Sequence, residues 1–204
     1  MAKMVVNLSQ VRYAVGRRLT QPAVRLLCKT RVGPNSLTIM GLALNIGAAV
    51  AIAMGYLIWG GALVLFSGAF DMLDGALARA KKQETRFGAI LDSTVDRLSE
   101  AVLLVGLLIL CMINYSATEV LLVYVVLVGS VLVSYIRARC EAAGLKCEVG
   151  WFTRPERVVV LALGLFFNQI LIVLCILAAF TYLTVGQRLA YAWQQTRNDL
   201  QKDK

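Results

Sequence analysis

Four aspartates recur at helical spacing in an apolar part of the chain, where carboxylates are costly. Asp71 and Asp74 are three residues apart, and Asp92 and Asp96 are four apart, so each pair projects from one face of its helix. An ionised Asp at membrane depth costs at least about 2.5 kcal/mol, so four of them need cations or partner groups. The pattern predicts a metal-dependent reaction site within a membrane protein.

The two pairs are expected at one depth, on antiparallel neighbouring helices joined by a polar turn centred near residues 83–84. Asp74 and Asp92 lie at similar distances from that centre along the chain, and Asp71 and Asp96 lie about one helical turn farther. At about 1.5 Å per residue, all four carboxylates fall about 13–19 Å below the turn. They can therefore converge on one small volume, provided that the turn is where the sequence predicts it.

The donor set determines which ion is expected. The chain has no histidine, which removes both the usual general base and the usual zinc ligand. A site built only of carboxylates favours hard divalent cations, chiefly Mg²⁺, with Mn²⁺ or Ca²⁺ able to occupy it. Two ions about 3.5–4 Å apart are a common device for in-line phosphoryl displacement, so we expect two Mg²⁺.

Three further residues near the aspartates fit phosphate chemistry. Gly75 follows Asp74, and Gly88 begins the third span one turn before Asp92. Each helical glycine costs about 1 kcal/mol, which indicates close approach by a ligand or by a neighbouring helix. Arg79 carries a planar guanidinium that suits a phosphate, although an arginine at this level can also extend its side chain to the membrane interface.

The composition requires that membrane helices position these groups. The chain has 204 residues, of which 59% are hydrophobic, and its mean hydropathy of +0.71 is typical of membrane proteins. We predict an all-α integral membrane protein with six transmembrane helices, each close to the about 20 residues that cross a bilayer. The predicted spans are 36–58, 61–81, 86–112, 117–138, 155–169 and 170–190, with a turn at Asn168-Gln169 between the last two.

The charges predict the orientation. All but one of the 21 Lys and Arg residues lie before residue 34, within 79–88 or 137–157, or after residue 187. The positive-inside rule then puts both termini and the mouth of the site on the cytosolic side of the plasma membrane. The net charge of +9 faces anionic membrane lipid, and no module for nucleic acid is recognisable.

Three regions are predicted along the chain. Residues 1–33 form a juxtamembrane segment in which 9–31 reads as an interfacial amphipathic helix. Residues 34–192 form the six-helix catalytic domain, and residues 193–204 form a cytosolic polar tail.

The motif identifies a family resemblance. The residues from Asp71 to Asp96 read D-x-x-D-G-x-x-A-R-x8-G-x-x-x-D-x-x-x-D, which resembles the signature of the CDP-alcohol phosphotransferases (CDP-alcohol phosphatidyltransferases). Pro34-Asn35-Ser36-Leu37-Thr38 also looks like the start of the first membrane helix in that family. The resemblance implies six transmembrane helices, a homodimer, and the joining of an alcohol to the phosphoryl group of a CDP-linked partner with release of CMP.

Carried over position by position, the resemblance assigns roles to the motif. Asp96 would act as the general base on the acceptor hydroxyl as well as a metal ligand. The metal ligands would be Asp71, Asp74, Asp92 and Asp96, and the CDP group would be bound by Asp71, Gly75, Arg79 and Gly88.

A second basic segment bears on the acceptor. Arginines at a cytosolic mouth beside a metal site suggest a phosphorylated acceptor, although simple positive-inside charge is the alternative for each one. The run Ser134-Tyr135-Ile136-Arg137-Ala138-Arg139, followed by Arg154-Pro155-Glu156-Arg157, resembles the branch of that family that makes phosphatidylinositol phosphate or archaetidylinositol phosphate. Thr153 departs from the pattern of that branch, in which an acidic residue often precedes the arginine that corresponds to Arg154. Mapped onto this chain, the acceptor-binding residues would be Arg137, Arg154, Arg157 and Arg188.

The expected function is transfer of the phosphatidyl group of CDP-diacylglycerol to a phosphorylated polyol, inositol phosphate, with release of CMP. A phosphatidylglycerophosphate synthase that uses glycerol 3-phosphate is the alternative within the family. A divalent cation channel or transporter is the alternative from another class, because intramembrane carboxylates also line ion paths.

Overall fold

The computed structural model describes residues 21–30, 32–114, 117–145, 147 and 149–202, and every regular element in those ranges is an α-helix. This confirms the all-α prediction. A helical stretch at residues 21–28 comes first. The six helices that follow are α1 (Pro34–Ala53), α2 (Leu57–Lys81), α3 (Arg86–Ile113), α4 (Ala117–Ala142), α5 (Arg154–Phe166) and α6 (Ile170–Lys202).

Local sequence signals explain where the helices begin and end. Pro34 occupies the first turn of α1, where its missing N–H costs nothing. The residue after α2, Lys82, adopts the left-handed conformation with φ 53° and closes the helix end. Asn168 does the same between α5 and α6, with φ 51°, so the turn predicted at Asn168-Gln169 is confirmed.

Within the described residues, four helices are long and apolar enough to cross a membrane: α1, α2, α4 and the part of α6 from Ile170 to Arg197. The chain is therefore a membrane protein with four candidate spans, where the sequence predicted six. Although α3 has 28 residues, its first half carries several charged side chains. With 13 residues, α5 extends only about 20 Å, less than the about 30 Å of a hydrocarbon core.

The helices carry their polar residues on the inside. In α1, Thr38 and Asn45 are buried, whereas Ile39, Ile46 and Val50 are about half exposed. A soluble helix would have the opposite pattern. Apolar side chains that face outward suit a lipid environment. The buried polar residues Thr38 and Asn45 form a polar strip along α1 that can contact neighbouring helices.

The chain divides between Leu110 and Cys111 into two compact units. The first unit contains α1, α2 and most of α3, and therefore all four aspartates of the motif. The second contains the end of α3 together with α4, α5 and α6, and therefore all four arginines predicted to bind the acceptor.

Small residues allow close helix packing in the first unit. A Cβ at Gly106 of α3 would overlap the backbone of Ala49 in α1, and one at Gly60 of α2 would lie 2.5 Å from the Ile52 side chain. Close approach of backbones through glycine is characteristic of membrane helices. It brings α2 and α3 against α1, which is the arrangement on which the aspartates depend.

The N-terminal prediction falls largely outside the described residues, since 1–20 and 31 are not among them. Within the described part, Val24 of the 21–28 helical stretch is buried and packs with Leu37 and Leu77. Lys81 donates hydrogen bonds from Nζ to the carbonyls of Thr30 and Val32, at 3.0 and 2.8 Å. An interfacial helix over 9–31 stays a prediction, as does the polar tail, whose described part continues α6 as helix.

Candidate active site

The turn between α2 and α3 lies where the depth argument requires it. Residues 82–85 separate the two helices. Thr85 closes the start of α3 by accepting a hydrogen bond from the backbone N–H of Gly88 at 2.9 Å, as an N-cap residue does. The two aspartate pairs therefore lie on helices joined by one short turn at the predicted position, and their common depth stays a prediction.

Asp74 is the most enclosed carboxylate of the motif, with 4% of its surface exposed. Its Oδ2 accepts a hydrogen bond from the Thr38 hydroxyl at 2.7 Å, and its Oδ1 accepts one from the N–H of Gly75. The negative charges of Asp92 and Asp71 are close enough to repel the negative charge of Asp74. The structure thus brings three of the four predicted carboxylates into electrostatic contact within one unit.

Asp96 lies on α3 one turn beyond Asp92, and residues four apart share a helix face. Both side chains are half-buried, as is Asp71. In the described residues, no group of three or more acidic or thiol side chains forms a ready-made metal cage. The carboxylates therefore line a common face rather than a closed shell.

The donor chemistry of this face nevertheless fits a divalent cation. Carboxylate oxygens are the ligands that Mg²⁺ and Mn²⁺ prefer, and like charges held near each other in an apolar surrounding favour the binding of cations between them. Asp74 adds preorganisation, because hydrogen bonds fix both of its oxygens while each keeps a further lone-pair direction. The residues present therefore suit the metal predicted from the sequence.

The glycines and arginine of the motif lie beside the aspartates. The Arg79 guanidinium folds back over Gly75, with Nη1 3.6 Å from the position of a Cβ on that glycine. At Gly88 a Cβ would lie 2.9 Å from Thr85 Oγ1 and 3.4 Å from Asn35 Oδ1. The capping contact with Thr85 and the proximity of α1 thus explain Gly88 by packing, and its role in CDP binding stays a prediction.

The second unit holds the predicted acceptor residues. Arg157 and Arg188 are buried, Arg154 is half-buried at the start of α5, and Arg137 is exposed. The charges of Arg137 and Arg157 both act on Arg188. The structure thus brings three of the four arginines into one electropositive cluster, with Arg154 one turn before Arg157 on the same helix.

Arg188 and Arg137 bind protein groups within this unit. Arg188 donates from Nε to the carbonyl of Val149 at 3.0 Å and from Nη1 to the carbonyl of Val133. It therefore ties the loop before α5 and the helix α4 to α6. Arg137 forms an ion pair with Glu141, four residues along α4, at 2.8 Å. An exposed pair of this kind contributes little to stability, so the guanidinium remains available to a stronger anion.

Sequence reasoning missed the residues that hold the site. These are Thr38, which contacts Asp74, and Asn45, whose Nδ2 donates to Ser67 Oγ at 2.6 Å. Glu156, which caps α5 through Thr153, was also missed. The signal was present for the first two, because Thr38 and Asn45 are seven residues apart in an apolar helix and so share one face.

The chain is similar to known proteins in both sequence and fold. The sequence matches the profile of the family described as CDP-alcohol phosphatidyltransferase over residues 31–193. It is 34% identical over 181 residues to the phosphatidylinositol phosphate synthase of Mycobacteroides abscessus, covering 84% of this chain and 82% of that protein. It is 35% identical over 167 residues to the archaetidylinositol phosphate synthase of Methanothermobacter thermautotrophicus, covering 79% of this chain and 83% of that protein.

The fold resembles that of a solved relative, the phosphatidylinositol phosphate synthase of Mycobacterium tuberculosis. Its crystal structure with CDP-DAG bound has a TM-score of 0.79 and 35% sequence identity, covering 86% of this chain and 94% of that chain. Its structure with manganese and citrate gives a TM-score of 0.78 at 35% identity, covering 85% and 88%.

Proposed function

The chain belongs to the CDP-alcohol phosphatidyltransferase family, and we propose that it transfers the phosphatidyl group of CDP-diacylglycerol to inositol phosphate with release of CMP. The observation that carries the proposal is the carboxylate face on α2 and α3, where Asp71 and Asp92 act on an Asp74 fixed by two hydrogen bonds. The synthase names of the sequence relatives support inositol phosphate as acceptor, and the CDP-DAG complex of the solved relative supports the lipid donor.

In this reaction the acceptor hydroxyl oxygen bonds to the lipid-linked phosphorus, and the bond from that phosphorus to the CMP oxygen breaks. Asp96 accepts the hydroxyl proton, since it lies on the same face as the metal-binding carboxylates one turn farther along α3. Two divalent ions, Mg²⁺ or Mn²⁺, would supply charge neutralisation at the pyrophosphate. They would be held by Asp71, Asp74, Asp92 and Asp96.

The leaving CMP group would be bound by motif residues of α2 and by Gly88. Asp71 and Gly75 lie on α2 beside Arg79, whose guanidinium covers Gly75 and can steady the CMP phosphate as charge develops on it. Gly88 would border the same nucleotide at the start of α3.

The phosphate of the acceptor would be bound by the arginine cluster of the second unit. Arg137, Arg154 and Arg157 would contact it, and bidentate guanidinium–phosphate contacts are the strong form of this interaction. Arg188 would complete the pocket, supporting it through its hydrogen bonds to Val149 and Val133 and adding its charge to the cluster. Like charges held close together gain most from an anion between them.

The membrane arrangement completes the proposal. The helices α3 and α5 would join the four apolar helices as spans, giving six. Both termini and the basic segments would face the cytosol in the plasma membrane, in accord with the positive-inside rule. The protein would work as a homodimer among membrane lipids.

The decisive experiment assays CMP release by the purified protein in detergent with CDP-diacylglycerol and Mg²⁺. The acceptors compared are inositol phosphate, glycerol 3-phosphate and unphosphorylated inositol. Release that requires inositol phosphate is expected. Product with glycerol 3-phosphate alone would make the acceptor assignment wrong, and no CMP with any acceptor, together with Mg²⁺ flux into liposomes lacking CDP-lipid, would favour the channel or transporter instead.

A further inference from the structure

The polar strip of α1 contacts α2 residue by residue. Thr38 donates to Asp74 at 2.7 Å, and Asn45 donates to Ser67 at 2.6 Å. Between them, a Cβ added to Gly41 would lie 3.3 Å from Asp71 Oδ1. Along α1 these positions run 38, 41, 45, and along α2 their partners run 74, 71, 67, which is the register of two antiparallel helices that pack on one face each.

We propose that Thr38 is a positioning residue for the metal site, which acts by fixing the carboxylate of Asp74. The inference rests on the proposed function, because it takes Asp74 as a metal ligand. It assigns to α1, which supplies none of the four motif aspartates, the task of setting the geometry of the carboxylate face.

The hydroxyl of Thr38 donates a hydrogen bond to the carboxylate of Asp74. The hydroxyl of Thr38 is buried, with 4% of the residue exposed, and it lies 3.3 Å from the carbonyl of Pro34 but only 2.7 Å from Asp74 Oδ2. A hydroxyl has one proton to donate, so the shorter contact to the carboxylate is the hydrogen bond. Bonds to an ionised acceptor are about twice as strong as neutral ones.

This hydrogen bond also restricts the orientation of the Asp74 carboxylate. With Oδ1 held by the Gly75 N–H and Oδ2 by Thr38, the plane of the Asp74 carboxylate is fixed by two elements, its own helix and α1. Each oxygen keeps a further lone-pair direction for a cation. A ligand oriented in advance does not lose its rotational freedom when the ion binds.

The strip also restricts Asp71. Gly41 leaves room for that carboxylate against the backbone of α1, since any larger side chain would press on Oδ1. One step farther, Ser67 donates to the carbonyl of Gly41 at 2.9 Å while it accepts from Asn45. This buried pair holds the two helices in register next to the aspartates, so that a slip of α1 would displace Thr38 from Asp74.

The test measures metal binding without the reaction. Mn²⁺ is titrated into the full-length protein in detergent, without CDP-lipid, and free Mn²⁺ is followed by electron paramagnetic resonance. Thr38→Val keeps the shape but removes the donor, and it should weaken Mn²⁺ binding within the about 10- to 100-fold range seen when hydrogen-bond partners of metal ligands are lost. Thr38→Ser keeps the hydroxyl and should restore binding close to that of the unaltered protein.

The matched control is Thr184→Val. Thr184 is also a buried membrane-helix threonine, but its hydroxyl donates to the carbonyl of Phe180 at 2.9 Å and not to a carboxylate. Its Mn²⁺ affinity should not change. If the Thr38→Val variant aggregates, Thr38→Ala replaces it in the same titration.

Each outcome of the Mn²⁺ titration either supports or overturns the positioning role of Thr38. Mn²⁺ binding by Thr38→Val equal to that of the unaltered protein overturns the proposal, as does a Thr38→Ser variant that binds as weakly as Thr38→Val, because the hydroxyl would then fail to restore binding. No Mn²⁺ binding by the unaltered protein overturns it as well. Weakened binding in Thr38→Val, combined with no CMP release by the unaltered protein, would retain the positioning role and refute the proposed reaction.

Discussion

Glu156 holds Thr153 by two hydrogen bonds: its Oε2 accepts from the Thr153 backbone N–H at 2.8 Å and from the Thr153 hydroxyl at 2.6 Å. Thr153 is the N-cap of α5, and Arg154 is the first residue of that helix. The carboxylate that holds this N-cap therefore comes from three residues farther along the chain. The cap fixes the direction in which Arg154 and Arg157 leave the loop.

Replacement of Glu156 by Ala should therefore lower stability and weaken acceptor binding together. Loss of a helix cap costs about 0.5–2 kcal/mol, so the thermal unfolding temperature in detergent should fall. KM for inositol phosphate should rise while KM for CDP-diacylglycerol stays unchanged. Thr153→Ser, which keeps both donors, is the control. Equal rises in both KM values would contradict a role confined to the acceptor side.

Asp96→Asn tests the general base. Removal of a positioned base costs about 10²- to 10⁴-fold in rate, and this loss should appear in kcat for CMP release at saturating Mg²⁺. The control is Glu100→Gln, which changes a carboxylate on the same helix one turn farther and should keep most of the activity. Full activity of Asp96→Asn would refute the assignment.

Arg157→Lys tests recognition of the acceptor phosphate. Lysine keeps the charge but loses the planar fork of donors, so KM for inositol phosphate should rise roughly tenfold, the size expected for a lost hydrogen bond to a charged group. Kinetics with each substrate varied in turn provide the measurement. Arg139→Lys, at an exposed position on α4, should behave as the unaltered protein.

Gly106→Ala tests the packing that brings α3 against α1. Because a Cβ there would overlap the backbone of Ala49, the substitution should destabilise the protein by roughly 1–3 kcal/mol, the cost of overpacking. Gly47→Ala is the matched control, since a Cβ at that α1 position meets nothing within 4 Å. It should leave stability unchanged or raise it, because Ala is the better helix former. Thermal unfolding in detergent distinguishes the two.

The thiol of Cys147 should be slow to react. Burial, reinforced by a hydrogen bond with Cys140, raises the pKa of the Cys147 thiol above its usual value, so little thiolate forms at pH 8. Maleimide should therefore label the exposed Cys28 first and Cys147 only as the protein unfolds. Because a raised pKa keeps the proton on the folded thiol, this group also lowers stability as the pH rises past the usual thiol pKa. Rapid labelling of Cys147 at pH 8 would contradict its burial.

Much of the carboxylate face could be predicted from sequence because its determinants are local. The spacing of Asp71 and Asp74 fixes a common helix face, and the polar residues at 82–85 fix the turn from which depth is counted. The family profile over residues 31–193 confirms the resemblance read from the motif. The count of six spans could not be settled in this way, because charge in α3 and the 13 residues of α5 leave length and composition short of what a span requires.

The contacts of individual polar residues could not be predicted from the sequence. Arg188 was predicted to bind the acceptor, but its Nε and Nη1 are bonded to the carbonyls of Val149 and Val133. Nothing in the sequence near Arg188 identifies those partners, which are 39 and 55 residues away. Thr153 likewise looked like a departure from the branch, and only its contact with Glu156 shows that it caps a helix.

By itself the sequence determined the helices, and it predicted the face each aspartate occupies and the kind of metal that a chain without histidine can hold, because periodicity and donor chemistry are properties of neighbouring residues. The tertiary structure alone decided that Thr38 meets Asp74, that Gly41 meets Asp71 and that Asn45 meets Ser67. Contacts of this kind depend on the register between two helices. That register is set by close packing, such as the fit of Gly60 against Ile52, and no periodicity within a single helix contains it.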